Sequence, residues 1–223
     1  MRHASAIGPY CIADFAAGPV EPVSVRLVNL LGVRVSVRAI LNRAEHERRS
    51  SLGIAAFTDA DLLRSLLELP LGCPVLDPIR CAETAGQPLG VVVRGDDGHT
   101  VTRLLEPALV IEDVIVAGRA GRELRAIQGA SLFAGFTSRW VAIEAPCAPE
   151  AVVMEAKLFG VGLLAQDSRV ILPAERRMSD AIDGWAWLLW EKTYRRWLKE
   201  HSRAHETENQ AQATGEASAR PTS

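Results

Sequence analysis

Apolar and polar residues alternate along Val23–Val28 and again along Val33–Arg38, with Asn29-Leu30-Leu31-Gly32 between them. A period of two with β-branched residues predicts half-buried strands, and the short glycine-containing link predicts a hairpin. Its outer face carries Ser24, Arg26, Arg34, Ser36 and Arg38. Residues 39–49 are polar and helix-friendly but have only a thin apolar stripe. A stronger helix follows: Thr58 or Asp59 is placed to cap it, the leucines from Leu62 to Leu69 recur at helical spacing, and Pro70 stops it.

Prolines at 70, 74, 78 and 88 predict an irregular connection to Gly90. Beyond it the pattern returns to short strand-like runs. Leu89–Val93 and Thr100–Leu105 flank Gly95-Asp-Asp-Gly98, whose Asp-Gly step is a hairpin signal. Leu109–Ala117 and Glu123–Ile127 flank Gly118-Arg-Ala-Gly121, which reads as another hairpin. Trp140–Ile143, Val152–Lys157, Phe159–Leu164 and Arg169–Leu172 complete the series. These runs predict an α+β fold with a curved antiparallel sheet or partly open barrel. The last and longest helix, capped by Ser179 or Asp180, runs to about His205 and packs on that sheet. The expected organisation is a loose arm over 1–22, one domain over 23–205 and a disordered polar tail over 206–223.

Composition narrows the picture only slightly. Hydrophobic residues are 48% of 223 and charged residues 23%, ordinary for a chain able to bury a core. The net charge of −2 provides no global attraction for nucleic acid or an anionic membrane, so such binding needs a local patch. Only Lys157, Lys192 and Lys199 are lysines; the other 22 of the 25 basic residues are arginines. With abundant Ala, Gly and Val, this arginine excess fits codon bias better than dedicated phosphate binding. Cys11, Cys73, Cys81 and Cys147 form no CxxC pair and no zinc-like set with histidine. Residues 1–22 lack the apolar run of a secretory signal, and no stretch is apolar for long enough to span a bilayer. The expectation is a cytoplasmic protein with reduced, mostly buried thiols and no membrane association.

Candidate chemistry is sparse, and no cofactor or metal motif is present. Val152-Val-Met-Glu-Ala-Lys157 places Glu155 and Lys157 on one face if it is a strand, where a carboxylate could hold a divalent ion and an ammonium could orient water. Over these six residues it resembles the active-site strand of restriction-like metal-dependent nucleases. That resemblance implies a further acid, which Glu112 or Asp113 could supply. Glu106 and Glu144 also flank strands and would add to a site if the chain converged there. Gly118-Arg119-Ala-Gly-Arg122, with Arg125 beyond, offers glycine-freed amides and guanidiniums to a phosphate, without the pattern of a nucleotide-binding loop.

The terminal helix holds four of the five tryptophans. Trp187, Trp190, Tyr194 and Trp197 follow a 3-4-3 spacing and form one stripe, which either completes the core or anchors a protein partner or a second copy. A nearby membrane role is disfavoured because Asp183, Glu191 and Glu200 offset Arg195, Arg196 and Lys199. Three functions remain open from sequence: a non-catalytic binding or accessory domain for a macromolecular partner, a divalent-metal nuclease or hydrolase, and a small-molecule pocket inside the curved sheet.

Overall fold

A computed structural model describes residues 20–76, 90–97, 99–175 and 183–218, with side chains described as far as residue 202. The expected N-terminal arm up to residue 19, most of the proline-rich connection, Ser179 and Asp180 lie outside the described residues.

The first hairpin forms as its alternation requires, and its strands are longer than the pattern alone marked. Strands β1 (Val20–Leu30) and β2 (Val33–Asn42) pair antiparallel, with Leu30 opposite Val33. Leu31 (φ 50°) and Gly32 (φ 79°) make the two-residue turn, and positive φ at both positions gives the twist that suits a hairpin. A bulge between Val25 and Val28 puts Leu27 at φ 53°. Val25, Val35, Val37, Ala39 and Leu41 are buried, whereas Ser24, Arg34 and Arg38 are exposed. One sheet face is therefore core.

Helix α1 (Arg43–Leu52) starts at Asn42, whose side chain accepts from the Glu45 amide at 3.1 Å. Its thin apolar stripe has a plain cause: the residues it buries are Glu45 and Arg49. Helix α2 (Ala60–Leu67) is capped by Asp59, whose carboxylate accepts from Asp61 and Leu62 amides, and it buries Leu63 and Leu66. A small antiparallel sheet follows, with β3 (Val75–Leu76) and β4 (Val92–Arg94) on either side of β5 (Thr100–Arg103). The Asp97 carboxylate organises the β4–β5 turn by accepting from the His99 and Thr100 amides and the Thr100 hydroxyl, each at 2.9 Å.

The remainder corrects the expected sheet. Strand β6 (Leu109–Gly118) pairs antiparallel with β2, but β7 (Ser138–Ile143) runs parallel to β6, and β8 (Gly162–Leu164) runs parallel to β7. Strand β9 (Val170–Leu172) returns antiparallel, so an open mixed sheet of order β1-β2-β6-β7-β8-β9 replaces the antiparallel sheet or barrel. Parallel neighbours need crossover connections. Two segments expected as strands supply them: α3 (Glu123–Ser131) and α4 (Glu150–Leu158). Ala126, Ile127 and Ala130 are buried on α3, and Val152 and Ala156 on α4. Those spacings of one, three and four belong to a helix. The glycines at 118 and 121 close a strand and open a helix; they do not turn a hairpin.

Helix α5 (Gly184–Ser218) completes the core and packs on α2, β1 and β6. Asp183 lies at its start and accepts from the Ala186 amide at 2.6 Å. The helix continues to Ser218, beyond the expected end at His205 and through part of the stretch expected to be disordered. Cys73 and Cys147 are exposed, contrary to the expectation of mostly buried thiols, while Cys11 and Cys81 lie outside the described residues. No helix among the described residues is long and apolar enough to cross a membrane.

Leu31 is poorly suited to its backbone, because a left-handed conformation brings a Cβ too near the following carbonyl oxygen. Replacing Leu31 with Asn, which tolerates that conformation, is expected to raise stability by about 1 kcal/mol. Urea unfolding checks this: the midpoint rises with an unchanged slope.

Candidate functional site

The residues singled out for metal chemistry do not converge. Glu155 and Lys157 lie on helix α4, not on a strand, and two helical positions are turned by about 200° from each other. The shared face that motivated the pair is therefore lost. Glu112 is exposed on β6 where the pairing with β2 shifts register. Asp113 is held across the sheet between the Arg38 guanidinium at 2.7 Å and the Trp140 indole N–H at 2.8 Å. Glu106 accepts weakly from the Asn42 side-chain amide at 3.3 Å, and Glu144 meets the Ala120 amide at 3.5 Å. Among the described residues, no group of three or more His, Cys, Asp and Glu is arranged to hold a metal ion.

The aromatic stripe is interior. Trp187, Trp190, Tyr194 and Trp197 are each at most 5% exposed, while Trp185, off the stripe, is 52% exposed. Around them sits an ionic cluster that apolar periodicity does not reveal. The Arg49 guanidinium donates to Glu45 at 2.8 Å, to both Glu191 oxygens at 2.8 and 2.9 Å, and to the Glu106 carbonyl at 2.6 Å. Glu191 also accepts from the Trp187 indole and the Phe57 amide, each at 3.0 Å. Arg48 closes the set by pairing with Glu45 at 2.7 Å. Burial lowers the Arg49 pKa, but the neighbouring Glu191 and Glu45 outweigh it and hold the guanidinium charged. Glu106, half-buried beside Glu45, has its pKa pushed up by desolvation and that negative neighbour.

The site with unsatisfied chemistry is elsewhere, at the C-terminal end of β6. There a cleft of about 360 Å³ opens between the β1–β2 turn and the first turns of α3. Val33 and Val116 contribute apolar lining, and Arg34, Arg119, Arg122 and Arg125 supply its charge. All four arginines are exposed, no acidic residue lines the cleft, and none of the four is ion-paired among the described residues. Gly121, at φ 74°, lets the chain turn from β6 into α3. Arg122 occupies the helix cap and no side chain caps α3. Its first-turn amides, which lack partners within the helix, thus add to the positive field of the guanidiniums.

Arg119 and Arg122 were visible in the sequence as a basic loop. Their meeting with Arg34 was not, because it depends on β6 lying beside β2, with Val35 opposite Val116. The crevice beyond the carboxyl ends of parallel strands is also where open α/β sheets commonly bind ligands. Comparison with known protein families, with curated proteins and with solved structures finds no match.

A second polar contact yields a pH prediction. His46 Nδ1 lies 2.8 Å from the Tyr194 hydroxyl, and its ring meets Tyr194 and Trp197 edge-on. Burial depresses the His46 pKa, with His201, Arg43 and Arg49 lowering it further against the opposing Glu47. Burial also pushes the Tyr194 phenol up to about 12, so it stays neutral in this range. The native state thus favours neutral His46. The contribution is present above the ordinary histidine pKa of about 6.5 and is lost as pH falls through the depressed native value. In urea unfolding from pH 8 to pH 5, the stability loss is expected to be smaller for His46→Gln than for the unmodified protein.

Proposed function

We propose that the protein is a non-catalytic binding domain that grips phosphate groups of a macromolecular partner in the cleft lined by Arg34, Arg119, Arg122 and Arg125. The observation carrying this proposal is the convergence of four guanidiniums, without a lining acid, on the opening of α3. Guanidinium groups match phosphate oxygens with paired donors, and helix openings favour anions. The partner is therefore not sought at Trp187, Trp190, Tyr194 and Trp197, whose side chains already fill the core. A catalytic role for Glu155 and Lys157 has lost the strand geometry that motivated it.

Isothermal titration with inorganic tripolyphosphate at low ionic strength tests the proposal. The protein is expected to bind, and replacing Arg119 and Arg122 with Ser is expected to weaken binding at least about tenfold. Loss of two charge-assisted contacts, each contributing about 1.5–3 kcal/mol, permits that change. The replaced positions are exposed, so the unfolding free energy should change by no more than about 0.5 kcal/mol. Absence of binding, or equal binding by the double variant, contradicts the proposal.

A further inference from the structure

A second basic depression adjoins the arginine cleft. It has a volume of about 310 Å³ and is lined by Leu27, Val28 and Asn29 of β1 with Lys192, Arg195, Arg196 and Lys199 of α5. Asn29 of this depression is the cross-strand partner of Arg34 of the cleft, so each recess has a lining residue on the same rung of the β1–β2 hairpin. The acids that seemed to neutralise α5 in sequence have other places. Glu191 is inside the ionic cluster, Asp183 lies at the helix start, and only Glu200 pairs with a lining residue, Arg196 at 2.8 Å. Among the described residues Lys192, Arg195 and Lys199 make no ion pair.

Resting on the phosphate-gripping role above, we infer that the two depressions form one track for the sugar–phosphate backbone of double-stranded nucleic acid. Lys192, Arg195 and Lys199 fall at i, i+3 and i+7, along one side of α5, and reach over about 10 Å of helix. A DNA strand advances about 3.4 Å per phosphate along the duplex axis, so a row of about 10 Å laid along that axis matches about three steps. Arg34, opposite Asn29 on the neighbouring strand, belongs to the arginine cleft. Among the described residues no aromatic side chain lines either depression, whereas general single-strand binders stack bases on aromatic platforms. The track therefore suits a backbone whose bases remain paired. A bilayer surface fits less well: its headgroups present a plane, while these cations line recesses, and the Trp187–Trp197 stripe of α5 is already covered by the core.

The test is fluorescence anisotropy with a labelled DNA duplex of about 20 base pairs, between about 50 and 200 mM salt. The unmodified protein is expected to bind with a steep salt dependence. The combined Lys192→Gln, Arg195→Gln and Lys199→Gln variant is expected to bind at least about tenfold more weakly, with the log–log salt slope reduced by about 2–3. That variant should retain tripolyphosphate binding and its native tryptophan emission. Equal duplex binding by the variant overturns the track and leaves the arginine cleft standing. Tripolyphosphate binding without duplex binding does the same, and binding of neither contradicts both proposals. Tighter binding of the matching single strand, or binding of phosphatidylserine vesicles in place of the duplex, also overturns the track.

Discussion

The fold depends on keeping one guanidinium out of water. Arg49 is 0% exposed, and a lone buried charge of that kind is costly enough to unfold an ordinary domain. Its tolerance requires Glu45 on α1 and Glu191 on α5, with Arg48 also pairing with Glu45. It also requires the Glu106 carbonyl ahead of β6 and receives the faces of Phe57 and Tyr194 at 5.6 and 5.4 Å. These groups come from four separate parts of the chain. The cluster can be satisfied only when α1, the segment leading to α2, the start of β6 and α5 assemble together, so it acts as a positional lock as much as a source of stability.

That lock also sorts charge. Glu191 turns inward to Arg49, and the neighbouring Lys192 and Arg195 remain outward. The same logic applies across the sheet, where Asp113 is engaged by Arg38 and Trp140. A chain of net charge −2 thereby presents two adjoining basic recesses. Net charge describes the whole molecule; binding responds to which charges the fold leaves without partners.

The hairpin, the Asp59-capped helix and the aromatic helix were legible because each depends on local periodicity and a nearby turn or cap. The parallel half of the sheet was not. Glu123–Ile127 and Val152–Lys157 are short enough for their β-branched and apolar residues to pass as strand, and only the buried partners at Ala126, Ala130 and Ala156 reveal helical spacing. Small alanines carry little weight in a hydrophobic pattern, yet they allow a helix to lie close on a sheet. The candidate site was half legible. Arg119, Arg122 and Arg125 are neighbours in sequence, but Arg34 joins them only through strand pairing. Glu45 and Arg49 stood at helical spacing in plain view, and their polarity disguised them as a solvent face.

The fold divides the described arginines into those neutralised inside, such as Arg49, and exposed ones without ion pairs, to which the proposed function gives the phosphate. Arginine Nε–Hε resonances, assigned by single substitutions and followed by ¹⁵N NMR during titration with inorganic tripolyphosphate, test that assignment most directly. The account predicts saturable shifts at Arg119, Arg122 and Arg125 and an unmoved Arg49 signal. Small, unsaturating shifts spread equally over exposed arginines such as Arg26 and Arg64 would contradict it.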